Sequence, residues 1–217
     1  AKSVCKLLNA EPQTGELIFT DVDKTDDCYE YIYTACAMGL MIGKTNDEFR
    51  PEEFIEVNDA LKVMITALGY KDKAETNGGY PVGYAVTAAE IGISSGVSGN
   101  YMTKAMLAKL IYNTMRTQIA IYEITGSDYE LKKDKTLLAQ YHNIEFGEGL
   151  VTANSRSGIK TTAPAGKSYV TINDRQFIIT DISQRDLLGY RVEYYAYENS
   201  DGDFELVFAL PKKTDAV

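Results

Sequence analysis

The titratable residues of this chain form no catalytic or metal-binding pattern that we recognise. His142 is the single histidine among 217 residues, which excludes any metal site built on a pair of histidines and leaves little scope for a Ser-His-Asp triad. Asp21, Asp23, Asp26 and Asp27 are clustered, but they lack the glycine and the distal glutamate of an EF-hand loop. No two carboxylates lie in a motif that sets a glycosidase spacing. We therefore predict a non-enzymatic protein with no metal ion and no cofactor.

The three cysteines also offer little reactive chemistry. Cys28 and Cys36 are eight residues apart, about 12 Å along one helix, which is too far for a disulfide within that helix. We predict that both are small buried residues, and that Cys5 is exposed near the start of the chain.

Charge excludes two further classes of function. Acidic residues outnumber basic ones by 31 to 22, so the net charge of −9 argues against nucleic-acid binding and against a polybasic membrane-surface protein. The longest apolar run, 33–43, is shorter than the roughly 18 to 20 residues of a membrane span. The chain has neither an initial Met nor a basic-then-apolar leader, so we expect an internal or processed piece of a soluble protein.

The hydrophobic pattern changes from helical to extended spacing near residue 120. Before it, apolar residues recur every three to four positions, as over 60–68 and 105–115. Gly39 and Gly69 are predicted to end helices in the left-handed conformation, and Gly43 to provide a left-handed turn. The fold class that follows is α+β, with an all-α region before a small all-β domain.

The β-rich part begins with one short helix predicted at about 135–141. Alternating apolar residues then predict strands, and Asp201-Gly202 favours a tight hairpin between the last two. Five or so strands suggest a small barrel or a partly open sheet, with an OB-like fold as one alternative. The glycine-containing stretches 147–150 and 163–166 are predicted to separate strands. The predicted strands are 168–172, 176–179, 191–197 and 204–210.

The helical part contains an internal repeat with a period of roughly 50 residues. Residues 31–43 align with 84–96, and each segment contains a helix, a Gly-aliphatic pair and a second glycine. A second helix follows each of them, at 56–68 and at 103–118. Residues 1–9 have the pattern of the second helix of a further copy. Such units bury their apolar faces against one another.

The first complete copy contains a series of motifs in a fixed order: Phe19-Thr-Asp-Val22, Tyr29, Gly39-Leu40, Gly43, Phe49-Arg-Pro51 and Ile55. This series resembles the S-layer homology domain, whose pattern is FxDV, then an aromatic residue, GIIxG, DGxFxP and a Thr-Arg-Ala-Glu helix start. The second copy matches at Gly92-Ile93, Gly96 and 102–105, but its FxDV and FxP elements are missing.

The resemblance implies binding to anionic secondary cell-wall polysaccharide, often pyruvylated, in grooves between repeats. The family's Arg would meet the carboxylate at a helix N-terminus. In the first copy the Thr-Arg pair is Glu56-Val57, which has no cation, whereas the second copy keeps Thr103-Lys104. The resemblance therefore implies a glycan site at Lys104, with Thr103, Gly96 and Tyr29 as supporting residues. An ordinary solvated lysine at position 104 is the competing interpretation.

Three stretches of the β-rich part are Thr136-Leu-Leu138, Gly149-Leu-Val-Thr-Ala-Asn154 and Asp186-Leu-Leu-Gly-Tyr-Arg-Val192. Through them, residues 135–211 resemble the segment that often follows such repeats in surface proteins of Gram-positive anaerobes. Together the two resemblances imply an extracellular, non-catalytic S-layer-type protein, anchored to the wall and in contact with other surface-layer subunits. Its β-domain would be a spacer or contact module. The alternative is a protein–protein assembly scaffold whose degenerate repeats no longer bind glycan. The predicted boundaries are 1–14 for the remnant of an upstream repeat, 15–70 for a repeat, 71–119 for a degenerate repeat and 120–217 for the β-rich domain.

Overall fold

The computed structural model of the chain has an α+β fold, as predicted. It divides into two compact units, Ala1–Leu137 and Leu138–Val217. The residues that the structure describes are 1–125, 128–132, 135–159, 165–166, 168–180 and 186–216.

The first unit is mainly helical and contains the predicted repeat. Each copy is a pair of helices, α2 with α3 and α5 with α6, whereas the polar helix α4 was not predicted. The opening helix predicted for residues 1–9 is present as α1. The helices are α1 (Lys2–Leu7), α2 (Tyr29–Ala37), α3 (Val57–Ala67), α4 (Lys71–Thr76), α5 (Val82–Glu90) and α6 (Lys104–Met115).

The two copies are joined through the short segments that precede α3 and α6. The Met102 N–H donates to the Ile55 carbonyl and the Val57 N–H to the Asn100 carbonyl, each at 2.9 Å. Glu56 and Tyr101 therefore face each other in an antiparallel bridge. Because Glu56 and Thr103 are the N-caps of α3 and α6, the bridge places equivalent parts of the two copies side by side.

A large core and a smaller apolar cluster lie within the helical unit. Ile65 and Leu110 are fully buried in the large core, on the two helices that close the repeats. Cys5 is buried in the same cluster, so the expectation that it is exposed was wrong: the inner face of α1 packs into the core. Cys28 and Cys36 are half-buried around a smaller cluster.

The glycines of the first loop have two different roles. Gly39 and Gly69 adopt φ angles of 68° and 81°, which confirms their left-handed helix ends. The prediction of a left-handed turn at Gly43 was wrong, since its φ lies outside that region. A Cβ on Gly43 would lie 2.4 Å from Phe19 Cε1 and 2.7 Å from the Glu48 carbonyl oxygen. This glycine is needed for space.

The helical unit continues past residue 120, where we predicted the β-rich domain to begin. It includes an antiparallel hairpin of β1 (Ile121–Thr125) and β2 (Asp128–Lys132). The Ile119 N–H donates to the Lys135 carbonyl at 2.8 Å, and the Leu137 N–H to the Thr117 carbonyl at 3.0 Å. These bonds tie both ends of the hairpin to the end of α6.

The second unit is a mixed sheet of five strands. Its hydrogen-bonded order is β3-β4-β5-β7-β6, and β6 pairs again with β3, so the ring of strands closes. The pair β5 and β7 is parallel, and the other pairs are antiparallel. Phe177 and Val192 are fully buried inside. The elements are α7 (Leu137–His142), β3 (Ile144–Ala153), β4 (Tyr169–Ile172), β5 (Arg175–Ile179), β6 (Tyr190–Glu198) and β7 (Phe204–Ala216).

The four strands and the short helix predicted for this unit are present, but β3 was missed. Glycines at 147 and 149 lie inside β3, where we expected a separator. A Cβ on Gly147 would lie 2.3 Å from Tyr194 Cζ, so the strand uses glycine to accommodate that ring. The predicted hairpin at Asp201-Gly202 is confirmed, with Gly202 at a φ of 84°. The predicted separator at 163–166 falls mostly outside the described residues, and the OB-like alternative stays a prediction.

Among the residues that the structure describes, no helix is both long and apolar enough to cross a lipid bilayer.

Candidate functional site

An open groove with a volume of about 780 Å³ runs along α3 in the helical unit. Residues 39–44 and 49–55 of the loop before α3 form one wall, and the first turn of α1 contributes a second. Tyr80 and Tyr84 border it beside α5, and Leu107 of α6 also lines it. The groove therefore draws residues from both copies of the repeat.

The charged lining of the groove is slightly cationic, although the chain as a whole is strongly acidic. The lining contains four basic side chains and three carboxylates, whereas the whole chain has a net charge of −9. The basic residues are Lys44, Arg50, Lys62 and Lys71, and the acidic residues are Glu53, Asp59 and Glu75.

Asp59 organises a polar network on the floor of the groove. Lys44 Nζ lies 2.8 Å from its Oδ2, and the Tyr80 hydroxyl donates to its Oδ1 at 2.8 Å. Burial alone would raise the pKa of Asp59, but the bonds from Lys44 and Tyr80 bring it below its ordinary value. Burial and the bond to Asp59 raise the pKa of Tyr80 to about 12. Asp59 is therefore ionised and Tyr80 neutral near pH 7.

The basic side chains around this network have different interaction partners. Arg50 is paired with Glu48 at 2.9 Å and with Glu53 at 3.2 Å, so its guanidinium is already compensated. Lys62 Nζ lies 5.1 Å from the centroid of the Tyr80 ring, in a cation–π arrangement. Lys62 therefore provides positive charge at an aromatic surface of the groove.

Large apolar side chains also remain exposed along the rim. Ile42 and Phe54 both line the groove, and Phe54 is 79% exposed. The Phe54 ring packs 6.2 Å from the ring of Tyr101, which is 59% exposed. Exposed apolar surface edged by polar groups is typical of a binding site.

Two of the predicted site residues, Thr103 and Lys104, lie at the start of α6. Thr103 is the N-cap, and its side chain accepts a hydrogen bond from the Met106 N–H at 3.2 Å. Lys104 is the first residue of the helix and is exposed. No acidic partner for Lys104 occurs within the described ranges of the chain. The bond from Met102 to the Ile55 carbonyl fixes this helix start beside the groove wall.

The other two predicted residues lie elsewhere. Gly96 is exposed at a φ of 75°, and the side chain of Lys109 passes beside it. Tyr29 is 7% exposed. Its hydroxyl donates to the Gly15 carbonyl at 2.9 Å and accepts from the Leu17 N–H at 3.1 Å. The hydroxyl of Tyr29 is therefore hydrogen-bonded to the backbone of the chain itself.

The groove residues Lys44, Asp59 and Tyr80 were not predicted from the sequence. They come from a loop, a helix and the segment before α5, and no spacing rule connects them. A partial signal exists in α3, where Asp59, Lys62 and Thr66 recur at helical intervals and all line the groove.

Part of the helical unit matches a known protein family. Residues 18–55 match the S-layer homology domain. That S-layer homology segment contains α2 and ends two residues before α3, so it supplies the loop wall of the groove. Within it, Asp21 accepts hydrogen bonds from the Phe49 N–H at 2.8 Å and from the Arg50 N–H at 2.6 Å. The FxDV aspartate therefore holds the FxP loop in place.

Two curated relatives extend the match beyond this segment. A "Surface layer protein" of Brevibacillus choshinensis is 25% identical over 126 residues, which is 57% of this chain and 11% of the relative. A "Middle cell wall protein" of Brevibacillus brevis is 25% identical over 127 residues, 57% of this chain and 12% of the relative. The chain thus spans about a tenth of the length of these relatives. No solved structure matches it.

Proposed function

We propose that the chain is part of a non-catalytic, cell-surface protein of the S-layer type, and that its helical unit attaches to an anionic secondary cell-wall polysaccharide. The S-layer homology segment and the two named relatives support the location at the cell wall. The observation that carries the attachment is the groove, whose lining is slightly cationic in a chain of net charge −9. Its wall residue Ile55 is hydrogen-bonded to Met102, two residues before the exposed Lys104.

Lys104 is the residue that we propose to meet an acidic group of the glycan, such as a pyruvate ketal. Its ammonium is exposed at the first position of α6, where backbone N–H groups also face outward. Thr103 fixes the backbone there through its cap. Lysine lacks the two-pronged geometry of arginine, so we expect an attraction that weakens with added salt.

Gly96 and Tyr29 support the site in our proposal without charge of their own. Gly96 provides a positive φ of 75° in the loop before α6, beside the Lys109 side chain. Tyr29 holds the segment of Gly15 and Leu17 against α2 through its hydroxyl.

The β-rich unit is proposed as a spacer or as a contact with other surface-layer subunits. Its closed strand order, with β5 and β7 parallel, supports an OB-like barrel, which by itself assigns no ligand.

A second function, assembly through degenerate repeats that no longer bind glycan, is favoured by one observation. Val57 occupies the position equivalent to Lys104 at the start of α3, where it is buried. Its N–H already donates to Asn100. At the start of α3 the first copy therefore offers neither a cation nor that N–H group to an anion.

Binding of purified wall polysaccharide, measured by calorimetry, tests the two functions. We expect the wild-type chain to bind and Lys104→Ala to bind about tenfold more weakly, as for loss of a charge-assisted hydrogen bond. Lys24→Ala removes the same charge from an exposed site outside the groove and should leave affinity unchanged. Equal affinity of Lys104→Ala and wild type would contradict the Lys104 site. Absence of binding by the wild type, with self-association in sedimentation, would favour the assembly scaffold.

A further inference from the structure

Phe54, which lines the groove, forms a pair of exposed aromatic rings with Tyr101. Phe54 and Tyr101 are 79% and 59% exposed, and they contact each other at 6.2 Å between centroids. By contrast, Tyr70 and Tyr84 of the helical unit are each only 1% exposed. Two large rings left side by side in solvent indicate a surface that is covered in the working protein.

The rings occupy equivalent positions in the two copies of the repeat. Each lies two residues before the N-cap of the closing helix, Glu56 for α3 and Thr103 for α6. The antiparallel bridge between Glu56 and Tyr101 fixes the two backbones beside each other. Both rings therefore project from backbone segments that are hydrogen-bonded to each other at the junction of the two copies. Binding sites require such rigid backbone support.

We propose that Phe54 and Tyr101 form a stacking platform for one sugar ring of the anionic glycan. This inference rests on the proposed function. Aromatic faces attract the polarised C–H groups of a ring as they attract cations and aromatic edges. Phe54 also lines the groove, and Tyr101 is three residues before Lys104. A ring stacked on the platform would therefore place an acidic substituent within reach of that lysine.

A sugar fits the platform better than a protein partner does. Stable protein interfaces bury about 800 Å² on each partner, far more than two rings present. The residue before each ring is polar, Glu53 before Phe54 and Asn100 before Tyr101. Polar groups around a small aromatic surface provide the hydrogen-bond partners that sugar hydroxyls need.

The test measures the affinity for purified wall polysaccharide of Phe54→Ala, Tyr101→Ala and the double variant. We expect the double variant to bind about tenfold more weakly than the wild type. Tyr190→Ala, which removes an exposed aromatic ring from the β-rich unit, is the matched control and should bind normally. Because the rings are exposed, the variants should keep the wild-type thermal unfolding midpoint.

A second readout uses the absence of tryptophan from the chain. Phe54→Trp keeps an aromatic face and introduces a single tryptophan fluorophore. We expect this variant to retain affinity and its emission to change when the polysaccharide saturates the protein. Wild-type binding that Phe54→Ala and Tyr101→Ala leave intact would overturn the platform alone. No wild-type binding at all would overturn the proposed function as well. Loss of self-association in the double variant, with glycan affinity unchanged, would also overturn the sugar platform.

Discussion

At the scale of single residues, Asp21 connects the start of the S-layer homology segment to its end. Its two carboxylate oxygens accept from consecutive backbone N–H groups, those of Phe49 and Arg50. The second of these residues has a φ of 60°, an unusual value for a residue with a side chain. The carboxylate thus stabilises a loop conformation that forms one wall of the groove.

Asp21→Asn should make the chain less stable near neutral pH and should remove part of its sensitivity to acid. The hydrogen bond from the Phe49 N–H, supported by that from the Arg50 N–H, outweighs the opposing effect of burial and lowers the pKa of Asp21 below its ordinary value of 3.8. Because the pKa of Asp21 is lower in the folded chain than in the unfolded chain, the ionised carboxylate stabilises the fold fully above pH 3.8. This stabilisation is lost as the pH falls through the pKa of Asp21 in the folded chain. Thermal unfolding measured from pH 7 to pH 2 should show wild type and variant converging in acid. Asp27→Asn, at an exposed aspartate nearby, is the control. A constant difference at every pH would contradict this account.

The sequence predicts some residues of the site and not others. Thr103 and Lys104 are recognisable because a capping residue followed by a helix is a local pattern. Asp59 and Tyr80 are separated by 21 residues and meet only when α3 packs near the segment before α5. Local patterns carry no information about such a meeting, so the polar network becomes visible only in the folded structure.

At the scale of elements, glycine is required for two different physical reasons: a positive φ angle or a lack of space for a Cβ atom. Gly39 has open space around the position of a Cβ but needs a positive φ. Gly43 has an ordinary φ and no space. The same ambiguity explains why β3 was missed: its glycines suggested a break between strands, whereas the sheet uses Gly147 to receive the Tyr194 ring.

Substitution by asparagine distinguishes these two demands. Gly39→Asn should change the free energy of unfolding little, since asparagine tolerates the left-handed conformation. Gly43→Ala should lower it by about 2 kcal/mol, as for overpacking of a filled site, and Gly43→Asn should be no better. Urea denaturation of the three variants provides the measurement. If Gly43→Ala were as stable as the wild type, the steric role of this glycine would be refuted.

At the scale of the whole molecule, the change of hydrophobic period near residue 120 predicts the α+β class but not the limit of the helical unit. Backbone bonds from Ile119 to Lys135 and from Leu137 to Thr117 keep the β1–β2 hairpin with the helices. The hairpin contains alternating residues, so periodicity alone assigns it to the β-rich part. Long-range backbone pairing decides which unit a strand belongs to, and no local pattern reports it.

The last prediction concerns the β-rich unit by itself. Residues 138–217 close a five-stranded sheet around a separate core centred on Phe177, which is fully buried. A unit with closed strand pairing and a core of its own should fold independently. We expect the isolated fragment 138–217 to unfold in a single cooperative thermal transition, followed by circular dichroism. Phe177→Ala should lower its free energy of unfolding by about 3 to 5 kcal/mol, enough to abolish folding in a marginal domain. A fragment without any transition would show that the sheet requires the preceding residues, and the boundary at Leu138 would then mark only the limit of the compact unit.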